Sequence, residues 1–176
     1  MSKISIGIDP GSTGFISVFN NEYAKWTHYS IPLLGKEIDL YALDKIFYQL
    51  STLSQQGNEV HCVIEDVHAI FGSSAKSTFS FGKIVGVLQA FVIAHRIPYT
   101  LVTPKTWQKE LWQGVAIQKK QSSTGKTQVN NTKAMSEIAA KRLFPDLDLR
   151  ATERCKINHD GKIDSILLAE YCHRKF

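Results

Sequence analysis

The chain is short of the features that would place it outside the cell or in a membrane. Three cysteines, Cys62, Cys155 and Cys172, occur in 176 residues. An odd number with no CxxC pair argues against a disulfide framework, and the thiols are expected to be buried and reduced. His61, His159 and His173 add no spacing that would complete a four-ligand zinc site. No apolar run approaches the ~18–20 residues a helix needs to cross a bilayer. Met1-Ser2-Lys3-Ile4 runs directly into a strand-like segment, which argues against a secretory signal. A soluble, cytoplasmic protein with no membrane partner is expected. Internal repeats are also lacking. With 43% hydrophobic residues the chain can build one real core, so residues 1–176 are expected to form a single domain.

Acidic residues are the scarcer charge. Lys and Arg number 21 against 16 for Asp and Glu, a net charge of +5. That surplus suits a polyanionic partner but is modest, and its placement is more informative than its size. From Gln118 to Lys133 the chain carries Lys119, Lys120, Lys126 and Lys133 with no acid.

Hydrophobic periodicity orders the rest. Ile4, Ile6 and Ile8 alternate with small or polar residues in a strand ending at Asp9. Pro10-Gly11-Ser12-Thr13-Gly14 reads as a turn, and residues 15–19 resume the strand pattern, giving a hairpin. Residues 23–31 make a third strand. Residues 39–53 place Leu40, Leu43, Ile46, Phe47 and Leu50 at helical spacing. Residues 60–65 form a short apolar strand ending in Glu65, followed by a loop containing glycine and serine. A second helix is expected over 83–95, a strand over 99–102, and a short helix opening at Pro104 and running through Trp112. The polar segment up to about Asn131 lacks periodicity and is expected to be a mobile loop. Helices over 132–144 and 162–174 complete the chain. Three strands, then alternating helices and strands, define an α/β protein with a mixed sheet, and the long crossovers require part of it to be parallel.

Against this frame, four carboxylates stand at the ends of apolar elements. Asp9 closes the first strand, where Pro10 biases it to extended backbone. Glu65 closes the run Cys62-Val63-Ile64, an uncommon end for a buried strand unless the charge is paired or metal-bound. Asp160 and Asp164 stand four apart at the start of the last helix and would point the same way. Three of them have a purely structural alternative: a turn acid for Asp9, an N-cap for Asp160, a first-turn dipole partner for Asp164. Converging in one cleft, the four would repel one another, and divalent cations relieve that repulsion. Hard oxygen donors select Mg²⁺ or Mn²⁺, and two such ions support phosphodiester hydrolysis.

Three segments also match a family. Ile6-Gly7-Ile8-Asp9-Pro10-Gly11-Ser12-Thr13-Gly14, then Val63-Ile64-Glu65, then His159-Asp160-Gly161-Lys162-Ile163-Asp164 resemble, in order and spacing, the acidic motifs of RuvC-type Holliday-junction resolvases. The resemblance covers nearly the whole chain. It implies a ribonuclease-H-like fold, with a mixed five-stranded sheet flanked by helices. It also implies a homodimer, branched DNA (a four-way junction) as partner, and two Mg²⁺ or Mn²⁺ ions per active site. Asp9, Glu65, Asp160 and Asp164 carry over as metal ligands and catalytic residues. The last two acids are four apart, where the bacterial housekeeping enzymes have them three apart. The HDG-x-x-D pattern looks more like viral and phage-type members, so a phage-encoded protein acting inside a bacterial host is expected. His159 is an alternative auxiliary residue to Asp160.

The resemblance extends to DNA contacts. Phe79-Ser80-Phe81-Gly82-Lys83 is similar to the junction-contacting region, where Phe79 and Phe81 would stack on or wedge between bases and Lys83 would meet phosphate. The alternative is that both phenylalanines pack at a helix start or dimer contact. Lys105 and Lys109, around a core Trp107, are candidate phosphate contacts, and Lys133 matches a family lysine close to the active site. A non-catalytic junction-binding protein, in which the acids no longer bind metal, is a further reading, and two others compete. One is a ribonuclease-H-like nuclease acting on RNA or an RNA/DNA hybrid. The other is an actin-like or sugar-kinase-like phosphate-binding protein, which would need a second domain this length cannot easily hold.

Overall fold

Alternation along the first strand decides which elements can lie on either side of it. In β1 (Lys3–Ile8), Ile4, Ile6 and Ile8 face one way and Ser5 and Gly7 the other. The computed structural model describes residues 2–11, 13–67, 74–122 and 124–176, so Ser12 of the turn and much of the loop after Glu65 lie outside the described residues. β2 (Phe15–Asn20) and β3 (Lys25–Ser30) add to one edge of β1 as an antiparallel meander. β4 (Leu33–Leu34) and β5 (Glu37–Ile38), a small hairpin that periodicity does not reveal, lead to α1 (Leu40–Gln55). β6 (Glu59–Glu65) returns parallel to β1 on its other edge. After α2 (Ala75–Ala94), β7 (Tyr99–Val102) pairs parallel with β6. The sheet therefore has five strands in the order β3-β2-β1-β6-β7, mixed and flanked by helices as expected.

Four elements follow the sheet: α3 (Pro104–Leu111), the strands β8 (Lys119–Gln121) and β9 (Gln128–Asn130), and α4 (Thr132–Leu143). α5 (Asp160–Lys175) is the last. β8 and β9 pair antiparallel, so the segment expected as a mobile loop is a two-stranded ribbon. It escapes a periodicity reading because it has no buried face to write one.

One core cluster joins Ile4, Ile6, Ile8, Cys62 and Ile64 to α1 and α2; the other joins Val63 to α3, α4 and α5. α5 lies directly on β1. A Cβ at Gly7 would stand 2.2 Å from both Ala169 N and Ser165 O, an approach only glycine permits. Cys62 and Cys172 are buried free thiols, whereas Cys155 is half-buried, because it sits in the loop before α5 rather than in the core.

Two further expectations need correction, both at α2. The helix starts at Ala75, not at 83, because Ser74 accepts the Ser77 N–H at 3.1 Å and caps it. The segment from Phe79 to Lys83 is therefore helical. Its most apolar 18-residue window has mean hydropathy 1.5, so by length and composition α2 is long and apolar enough to cross a bilayer, although no such run was expected. Lys, Ser, Gly and Gln interrupt its apolar residues, which hides the length in the sequence.

Candidate active site

Sheet register brings the first two acids together. Ile8 pairs with Ile64 in parallel, so Asp9 and Glu65 leave adjacent strands at nearly the same level. Parity then puts both on the α5 side: Asp9 follows Gly7 by two residues, and Glu65 follows Val63 by two. The Asp9 N–H donates to Phe15 O at 3.0 Å, closing the turn that holds its side chain at the strand end.

α5 runs antiparallel to β1, its far end tied down by Lys3 Nζ donating to His173 O at 2.6 Å. Its N-terminus therefore arrives beside Asp9. His159 is the N-cap, with Nδ1 accepting from Lys162 N at 3.3 Å, so the alternative in which Asp160 caps the helix does not hold. Asp160 is instead the first helical residue, and Asp164 lies one turn further in. The two differ in setting: Asp160 is exposed and paired with Lys133 Nζ, while Asp164 is more buried and takes a hydrogen bond from Ser136. A Cβ at Gly161 would stand 2.7 Å from Asp9 Oδ2 and 2.6 Å from Thr13 O, so glycine lets the helix end close on the first motif.

The electrostatics follow from this packing. Burial first, then repulsion from Asp164, Glu65 and Asp160, holds the Asp9 carboxyl well above the ordinary carboxylate range. Burial pushes Asp164 up to about 7, with Glu65 and Asp160 adding repulsion and the Ser136 hydrogen bond opposing it. Burial also raises Glu65, against the Trp107 indole N–H that donates to its Oε1 at 3.0 Å. Trp107 is core, as expected, and it also orients Glu65. The bond to Asp160 raises Lys133.

A cavity of about 430 Å³ opens over Asp9, Asp160 and Asp164, with Lys133, Thr13 and Asn158 on its walls. Its three carboxylates are hard oxygen donors of the kind that select Mg²⁺ or Mn²⁺, and His159 and Cys155 also stand on its lining. Among the described residues no group of three or more His, Cys, Asp or Glu side chains already stands in metal-holding geometry. The four acids converge without forming a finished cage.

The remaining candidates fall in different places. Lys133 lies within the acidic cluster. Lys105 is exposed in the first turn of α3, close behind Val102, which pairs with Glu65; Lys109 is exposed one turn later. Phe79 is exposed on α2, Phe81 is half-buried, and Lys83 is paired with Glu37 of β5. Sequence reasoning did not find the roles of Ser136 and of the Trp107 N–H. Ser136 carries no distinguishing signal in the sequence. Trp107 does, since a buried indole needs an acceptor.

The mixed five-stranded sheet, its flanking helices and the acids at its parallel strand ends define a ribonuclease-H-like fold. No family model and no curated protein matches the sequence. Solved structures do. RuvC of T. thermophilus in complex with Holliday junction substrate superposes with TM-score 0.54 at 12% identity, over 95% of this chain and 90% of that one. A second Thermus thermophilus RuvC structure gives 0.54 at 13% identity, over 97% of this chain and 96% of the other. The yeast mitochondrial Holliday junction resolvase Ydc2 gives 0.50 at 17% identity, over 96% and 77%. At these identities the likeness establishes the fold.

Proposed function

We propose that the protein is a structure-selective endonuclease that resolves four-way DNA junctions by paired, divalent-metal-dependent phosphodiester hydrolysis. The observation that carries this reading is the convergence of Asp9, Glu65, Asp160 and Asp164 at one end of a sheet whose fold is shared with junction resolvases. Asp9, Glu65, Asp164 and Asp160 would hold Mg²⁺ or Mn²⁺, two ions per site. Their donor set fits, and raised carboxyl pKa values are what buried acids show without a countercharge. Bound ions of this kind supply Lewis-acid activation for hydrolysis of the phosphodiester.

The chain's own residues divide the rest of the work. Trp107 keeps Glu65 aimed at its neighbours, and Ser136 does the same for Asp164. Lys133, held at the mouth by Asp160, is placed to offer its ammonium to a phosphate, and Asp160 would be free to hold a cation when that pair opens. Lys105 and Lys109 follow the backbone beside Glu65, and Phe79, Phe81 and Lys83 meet the branch point from α2, Lys83 exchanging Glu37 for phosphate. The HDG-x-x-D spacing supports membership of the phage-type branch.

Paired cutting requires two sites, and α2 supports a homodimer. Gly82, Gly86, Ala90 and Ile93 recur at three- and four-residue steps along its exposed face. Nothing lies within 4 Å of a Cβ at either glycine, which leaves room for the close approach of a second helix.

The deciding experiment incubates the protein with a mobile four-way junction, a flap, a linear duplex and an RNA/DNA hybrid, with Mg²⁺ and with chelator. Symmetrically placed nicks in the junction, abolished by chelator, are expected. Preferential cutting of the hybrid would transfer the substrate to the ribonuclease reading, and absence of metal-dependent cutting on every substrate would refute both.

A further inference from the structure

From Leu111 to Ser136 the chain contains no Asp or Glu but four lysines. In its middle, β8 and β9 form a ribbon whose six strand residues are all exposed. Such a ribbon contributes nothing to the core, and an isolated two-stranded hairpin is marginal in water. Hydrogen bonds nevertheless tie its base to α4 and to the end of α3. Asn131 N donates to Gln118 O at 2.8 Å at the base, and the Asn131 side chain caps α4 through Ala134 N at 3.3 Å. Arg142 ties the approach to the ribbon by donating to Leu111 O at 3.0 Å and to Gln113 O.

Register sorts its side chains by face. Lys119 opposes Asn130, and Gln121 opposes Gln128, so these four share one face; Lys120 and Val129 occupy the other. The first face is entirely polar and rich in donors, with Lys119 Nζ bridging to Asn130 Oδ1 at 2.7 Å. Lys126 stands in the connecting turn. A two-stranded ribbon fits the DNA major groove, where amide side chains read base edges and lysines neutralise the flanking phosphates. Location fits as well. Asn130 is three residues before Lys133, which touches Asp160, so the end of the ribbon lies within about 10 Å of the backbone that carries this lysine to the acidic mouth.

We infer that the β8–β9 ribbon is a duplex-binding arm that lays its Lys119, Gln121, Gln128 and Asn130 face along a DNA arm next to the cut. The inference rests on the nucleic-acid reading above and adds Lys119 and Lys126 as phosphate contacts, Lys120 lying on the opposite face.

The test measures salt-dependent binding of the full chain to a linear duplex and to a four-way junction, and junction cutting in parallel. The combined substitution Lys119→Gln and Lys126→Gln should lower the slope of log affinity against log salt by about 2 and weaken binding on the order of tenfold or more. The thermal midpoint should stay unchanged, because the ribbon buries nothing. Gln121→Ala with Gln128→Ala should weaken binding while leaving the slope intact, since amides release no counterions. Unaltered affinity and slope in the lysine variant overturn the inference, as does a wild-type chain that binds no duplex. A wild-type chain that shows the ribbon effect but cuts no junction leaves the arm standing and removes the nuclease reading instead.

Discussion

Asp9 is buried and faces three other carboxylates, and both effects raise its carboxyl pKa. Asp9→Asn keeps the shape and removes the charge, so junction cutting should be lost while junction binding is retained or tightened; wild-type cutting rates would show that the carboxylate is not used. Asp164 makes a prediction about pH. A carboxyl raised from 3.8 to about 7 binds more protons in the fold than in the unfolded chain between those values. Its stability contribution is therefore full below about 4 and is lost as pH rises through 7. The metal-free protein should have a lower melting temperature at pH 8 than at pH 5.5. Asp164→Asn should recover roughly 1–3 kcal/mol at pH 8, read as several degrees in a thermal melt. Mg²⁺ should raise the wild-type midpoint at pH 8 but not that of the variant. Trp107→Phe separates positioning from chemistry. Without the indole N–H, Glu65 loses a bond that lowers its pKa, so the cutting profile should move to higher pH and kcat fall about tenfold with KM little changed. An unshifted profile would leave Trp107 a packing residue only.

Two elements, β1 and α5, bring the site together, and their contact leaves no tolerance. Gly7→Ala would push a methyl into the backbone of α5 at Ser165 and Ala169, and neither can move without lifting the helix. Overpacking typically costs about 1–3 kcal/mol, and contact with backbone on both sides belongs at the upper end or beyond. A drop of several degrees in the melting midpoint is expected; an unchanged midpoint would mean that α5 is free to shift. The acids at the ends of β1 and β6 were legible in the sequence because Asp9 terminates an apolar alternation and Glu65 a continuous apolar run. The ends of α2 and the existence of β8–β9 were not. Ser74 is an ordinary serine until its cap is seen, and an exposed ribbon writes no hydrophobic period.

For the whole molecule, the proposed pairing of two active sites depends on the open face of α2. Gly86→Leu is a selective probe, since nothing lies within 4 Å of a Cβ there and leucine favours helix over glycine by about 1 kcal/mol. The isolated chain should fold at least as well, whereas a dimer built on this face should dissociate and sediment as a monomer. Unaltered sedimentation of a dimeric variant would move the interface elsewhere. Paired nicking should then decay into single, uncoupled nicks.

The amino-acid order alone determined the class of the sheet, the strand-end positions of Asp9 and Glu65, and the helix that carries Asp164. These depend on periodicity and on charge placed against it, both local properties of the chain. That the helix begins at Asp160 rather than at 162 came from the structure. Only the tertiary structure decided that parallel register sets Asp9 level with Glu65, that α5 arrives antiparallel through Gly7 and Gly161, and that Trp107, Ser136 and Lys133 reach the acids. Those contacts join residues from 27 to more than 100 positions apart, and no local pattern records which distant side chain a fold will bring to meet another.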